Sequence, residues 1–97
     1  MVTEFAEIEV KAGDEAAFIA GVEASRPVFL GFPGCHGMAL HRSVENPSHF
    51  VLMVQWDSVA DHMETFRNAP EFQVWRGNVG AYFAGAPKVW HSETVIG

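Results

Sequence analysis

Phe50-Val51-Leu52-Met53-Val54-Gln55-Trp56 is apolar at nearly every position, and on both faces of the strand it forms. A half-buried strand alternates, with one face to the core and one to water. Here Phe50, Leu52, Val54 and Trp56 point one way, and Val51 and Met53 point the other. A chain of 97 residues carries helix enough to cover one of those faces. The sequence therefore predicts that a second molecule covers the other.

Upstream, residues 3–10 alternate, with Ala6, Ile8 and Val10 opposite Glu7 and Glu9, and read as a first strand. Gly13 and Asp14 punctuate the chain, and Asp14 or Gly13 caps a helix whose stripe is Phe18, Ile19 and Val22, running to about Ser25. Pro27 disfavours helical geometry at Arg26, so Val28 to Phe32 reads as a separate kinked turn. Pro33-Gly34 turns the chain into a second strand, 35–44, with Met38, Leu40 and Val44 on one face. Asn46-Pro47-Ser48 then forms a hairpin loop into the third strand, 49–56.

Downstream, Ser58 and Asp61 resemble a capping box and open a helix over 59–68 with Val59, Met63 and Phe66 inward. Pro70 suits the first position of a further helix, 70–84, striped by Phe72, Trp75, Val79 and Phe83. Gly85 and Pro87 end it, and 88–95 make a last strand. Strand, helix, strand, strand, helix, strand is the ferredoxin-like βαββαβ order of an α+β domain. It places a four-stranded antiparallel sheet under two helices. Two such sheets packed through their open faces give a dimeric α/β barrel, and a two-fold homodimer is the commonest way to bury such a face.

The composition is 48% hydrophobic and 19% charged, ordinary for one folded domain. Twelve acidic residues against six basic ones give a net charge of −6, which argues against nucleic acid. No apolar run has the length to span a bilayer, no secretory signal opens the chain, and Cys35 is alone, so a cytoplasmic protein away from membranes is expected.

No phosphate-binding glycine loop, Gly-x-Ser-x-Gly elbow or His-Glu-x-x-His is present, and the five histidines lack ligand spacing, so no metal site is expected. Two polar side chains stand out. At about 100° per residue, Arg76 falls within the apolar arc of its helix and His62 at the edge of its own. A buried, unpaired Arg is costly, so Arg76 calls for an anion, a carbonyl or an aromatic face. A salt bridge to Glu7 or Glu9 and a substrate-facing role answer this equally well, whereas periodicity makes His62 a core histidine bonded to backbone. Trp56, Trp75, Tyr82 and Trp90 are usual core residues that would also suit a flat aromatic ligand. Cys35 reads as packing.

The segments Pro33–Pro47 (PGCHGMALHRSVENP) and Val54–Val89 (VQWDSVADHMETFRNAPEFQVWRGNVGAYFAGAPKV) resemble the antibiotic biosynthesis monooxygenase family. The most specific part is the Trp closing the third strand, the His six residues on, and Pro-x-Phe opening the next helix. The resemblance implies the dimeric barrel. It further implies oxidation of a quinol or anthrone by O₂ with no cofactor, the deprotonated substrate itself reducing oxygen. The family's pocket Trp corresponds to Trp56 and its pocket Arg to Arg76, while His62 stands where others carry Tyr. Leu52 and Leu40 stand where polyketide oxygenases have Asn and Tyr, which removes two polar handles. The resemblance thus makes His62 proton acceptor or hydrogen-bond donor, Arg76 oxyanion stabiliser and Trp56 a pocket wall. Leu40, Leu52, Phe66, Trp75 and Tyr82 complete the expected lining. Haem-degrading relatives use Asn, Trp and His where this chain has Glu7, Thr65 and Arg76, so haem is disfavoured. A non-catalytic or stress-related barrel that binds aromatics remains the alternative, as does an interior simply filled by side chains.

Overall fold

The computed structural model describes all 97 residues. Its elements are β1 (Val2–Glu9), α1 (Glu15–Leu30), β2 (Cys35–Arg42), β3 (His49–Trp56), a π-helical turn (Asp61–Phe66), α2 (Pro70–Val79), a 3-10 turn (Gly80–Tyr82) and β4 (Lys88–Ser92). The sheet order is β2-β3-β1-β4 with every neighbouring pair antiparallel. This is the expected α+β βαββαβ fold. Both helices lie on one face of the sheet, where Ala6, Ile8, Phe50, Leu52, Val54 and Trp56 meet Phe18, Val22, Phe29, Trp75 and Val79 in the core.

On the helix-free face, Phe5 stacks on Trp90 with centroids 4.5 Å apart, and Val51, Met53 and Ala39 continue the apolar surface. Trp90 is 45% exposed there. Both faces of β3 are apolar, but only one is covered within the chain.

Three local expectations change. First, α1 runs unbroken through Pro27 to Leu30. Phe29 is buried against Trp56, Phe66 and Trp75, and that packing holds the last turn helical despite the missing proline N–H. Its inward stripe is Phe18, Val22, Ser25 and Phe29, while Ile19 faces out. Second, residues 61–66 wind as a π-helix, closed by Arg67 N–H donating to His62 O at 3.1 Å. The wider turn rotates Val59 and Met63 outward and drives His62 and Phe66 inward. Third, the helix from Pro70 ends at Val79 and tightens into the 3-10 turn. The outer strands are also shorter than expected, β2 ending at Arg42 and β4 at Ser92. The two helices meet at Gly21, where a Cβ would stand 2.4 Å from the Asn78 carbonyl oxygen. Asn78 Nδ2 donates to Ser25 Oγ (2.9 Å), which donates to Gly21 O (2.8 Å) and locks that contact.

Candidate active site

Glu4 occupies the inward phase of β1 with Ala6, Ile8 and Val10, and only 4% of it is exposed. Its cross-strand neighbours are Val54 on β3 and His91 on β4. An acid in this position needs partners, because an isolated buried carboxylate is expensive. Trp56, at the end of β3, supplies one: its indole N–H donates to Glu4 Oε1 at 2.9 Å.

Beyond Trp56 the chain turns. Asp57 N–H donates to Gly34 O, and Ser58 Oγ accepts from Asp61 N–H and donates to Asp61 Oδ2. This fixes the start of the π-turn and so the placement of His62. The imidazole stacks on Trp56, 14° from parallel with centroids 5.4 Å apart. Its Nε2 lies 3.4 Å from Glu4 Oε1, and its Nδ1 lies 2.9 Å from His91 Nε2. Glu4, His62 and His91 therefore form a row running from the interior to the partly exposed His91. They do not converge on a point, and no three His, Cys, Asp or Glu residues are placed to hold a metal ion.

Burial pushes the Glu4 carboxyl up to about 7, although the Trp56 hydrogen bond and the Arg67 charge pull it down. Burial, then His91, then Arg67 push His62 down to about 4. Burial and Arg67 lower His91 as well. Both imidazoles are thus neutral near pH 7, and one donates to the other. Burial also raises the Cys35 thiol, which leaves it a packed, un-ionised group.

Beside this row lies a cavity of about 290 Å³ between the sheet and α2. Its floor is Glu4, Ala6, Ile8, Leu52 and Val89; its aromatic walls are Phe29, Phe66, Phe72, Trp75 and Phe83; His62, Arg67, Arg76 and Pro87 complete it. Neither arginine forms an ion pair. Arg76 sits over the Phe83 ring at 5.4 Å and Arg67 over Phe72 at 5.9 Å. Glu7 and Glu9 cannot reach Arg76, because they project from the opposite, helix-free face of the sheet.

Of the residues read from the sequence, Leu52, His62, Phe66, Trp75 and Arg76 line the cavity. Trp56 does not. It lies fully buried behind Glu4 and His62 and acts on the site through them. Leu40 faces the core from β2, and Tyr82 packs at the core margin in the 3-10 turn, both away from the lining. His62 bonds to a side chain, His91, where a backbone partner was expected. Glu4, His91 and Arg67 escaped the sequence reading. Glu4 had a signal, an acid in phase with Ala6, Ile8 and Val10, and so did His91, in phase with Val89. Arg67 had none, since its position depends on the π-turn.

A family model for antibiotic biosynthesis monooxygenase matches residues 1–78. The uncharacterised protein YczJ of Bacillus subtilis (strain 168) is 30% identical over 95 residues, covering 98% of this chain and all of that protein. A crystal structure from Bordetella bronchiseptica, named as a candidate antibiotic biosynthesis monooxygenase, superposes with a TM-score of 0.97. It is 47% identical and covers 98% of this chain and 97% of that one. A structure from Nitrosomonas europaea bearing the same name has a TM-score of 0.83 at 19% identity, covering 99% and 100%.

Proposed function

The chain belongs to the antibiotic biosynthesis monooxygenase family, and from that membership we propose that it oxidises a compact hydroxylated aromatic, such as a quinol, with O₂. The observation that carries this reading is the cavity itself. It pairs aromatic walls with two guanidiniums, Arg67 and Arg76, that form no ion pair. In a chain of net charge −6, two of the six basic side chains gather at this one cavity. A ring fits between the walls, and a phenolate oxygen fits the cations.

A flat substrate stacks among Phe66, Phe72 and Trp75, away from water. Arg76 and Arg67 stabilise the negative charge on its oxygen once the proton has left, and neutral His62 hydrogen-bonds a hydroxyl. The electron-rich phenolate then reduces oxygen directly, so this reading calls on no cofactor. At about 290 Å³ the cavity stands at the small end of ligand pockets, which favours a one- or two-ring quinol over an anthrone. Leu52, on the cavity floor, offers the substrate an apolar contact only.

The helix-free face supports a homodimer. Phe5, Val51, Met53 and Trp90 form an apolar patch on this face, and Glu7, in register with Val51 and Lys88, borders it.

Oxygen uptake with a panel of hydroquinones and anthrones tests the activity. Uptake by the wild type should exceed that of the His62→Ala, Arg76→Ala double variant. Equal rates, with aromatics still bound, would leave a non-catalytic binding barrel.

A further inference from the structure

We infer that Glu4 takes the proton from the bound phenol, and that the His62–His91 pair conducts it to solvent. The inference rests on the aromatic-substrate reading above and adds the route by which the proton leaves a closed cavity. Three observations carry it. Glu4 lines the cavity while its Oε1 is held by Trp56 and faces His62. Its Oε2 has no protein partner, yet no buried side-chain oxygen or nitrogen is left unpartnered, so Oε2 opens onto the cavity. Finally, the row ends at His91, which reaches the surface.

A structural role does not account for the carboxylate. The amide oxygen of Gln would accept the Trp56 N–H equally well without burying an ionisable group. What Glu adds is the ability to gain and lose a proton. Burial holds its carboxyl at about 7, near working pH, where a general base is most effective. The groups facing it are Cys35 from β2, His91 from β4, His62 and Arg67 from the π-turn and its end, and Arg76 across the cavity. From α1 only the uncharged Phe29 reaches the cavity.

In the transfer, the phenolic O–H bond breaks and its electron pair stays on the substrate oxygen, beside the arginines. The proton goes to Glu4 Oε2. Rotation of the carboxyl about its Cγ–Cδ bond exchanges the two oxygens, brings that O–H to His62 Nε2, which takes the proton, and leaves the other oxygen to accept from Trp56. His62 releases the hydrogen on Nδ1 to His91 Nε2, and His91 loses its Nδ1 hydrogen to solvent. One proton enters the row and one leaves. His62, pushed down to about 4, is too weak a base to keep the proton, and that suits a conductor better than an acceptor.

The test uses 3-nitrophenol, a phenol whose absorption changes on ionisation, bound under argon at a pH above the Glu4 midpoint of about 7 and below its own. The wild type should bind it ionised, whereas Glu4→Gln should bind it neutral, with the ionised fraction down about tenfold or more. His91→Phe should still ionise the probe but release the proton to an indicator dye about tenfold more slowly, with added imidazole restoring the rate. A probe bound neutral by the wild type, or equally ionised by Glu4→Gln, overturns the inference; so does unchanged release in His91→Phe. Because this readout needs no oxygen, a wild type that ionises the probe yet consumes no O₂ with any quinol sinks the oxidation reading and upholds the relay. No binding at all overturns both.

Discussion

Trp56 and Glu4, on neighbouring strands, share a buried hydrogen bond of 2.9 Å from the indole N–H to Oε1, so that the tryptophan positions an acid. Trp56→Phe keeps the ring and removes the donor. Because the bond lowers the Glu4 pKa, its loss should raise the carboxyl further above about 7. Leaving a buried acceptor without its donor should also cost about 1–3 kcal/mol. Carboxyl ¹³C titration and urea unfolding measure the two effects, and an unchanged midpoint would show that the hydrogen bond is not formed in solution.

Glu4 and His62 pull stability in opposite directions with pH. Glu4 is raised from 4.5 to about 7, so the folded state holds its proton more tightly; its contribution is complete below 4.5 and is lost as pH rises through about 7. His62 is lowered from 6.5 to about 4, so its contribution is present above 6.5 and lost as pH falls through about 4. Glu4→Gln removes the first effect alone. Relative to wild type, the variant should gain about 3 kcal/mol between pH 4.5 and 7.5. Denaturant melts across that range test this, and a constant difference would place the Glu4 pKa in the ordinary carboxylate range.

Arg76 brings its charge to the cavity without an ion-pair partner, whereas Arg26 on α1 is exposed and paired with Glu23 at 3.0 Å. Arg76→Gln should weaken binding of an ionised phenol by about tenfold or more, and Arg26→Gln should leave it unchanged. Calorimetry with both variants checks this. Equal effects would mean that only net charge matters.

At Gly21, a methyl group would stand 2.4 Å from a backbone carbonyl oxygen of α2. Gly21→Ala should force the helices apart and cost about 1–3 kcal/mol, despite alanine's better helix propensity. A thermal melt at or above the wild-type midpoint would mean that α2 moves freely away from α1.

Trp90 and Met53 lie on the helix-free face. Ultracentrifugation should find the wild type at twice its chain mass at micromolar concentration and Met53→Lys shifted toward the single chain. A folded wild-type monomer would remove the proposed pairing.

The strand pattern made the sheet and its two-sided third strand legible, because a period of two survives in any context. Local preference predicts a break at Pro27 because it says nothing of Phe29, whose burial among three aromatic rings outweighs it. His62 and Arg76 were visible as polar residues near apolar arcs. Glu4 was legible in principle but was overshadowed by Glu7 and Glu9 beside it in sequence. Trp56 could not be told from a cavity wall, because sequence does not show which side of a ring meets solvent.

The π-helical turn gives His62 its place by the number of residues in the segment as well as by the Ser58–Asp61 hydrogen bonds that start it. Substitution scanning across 61–66 would report on side chains and pass over this property. A one-residue deletion would reveal it, letting the coil relax to 3.6 residues per turn and swinging the imidazole off the indole. The number of residues in this turn thus sets where His62 stands, and a chain that gained or lost one residue here would place the imidazole differently while keeping the same sheet.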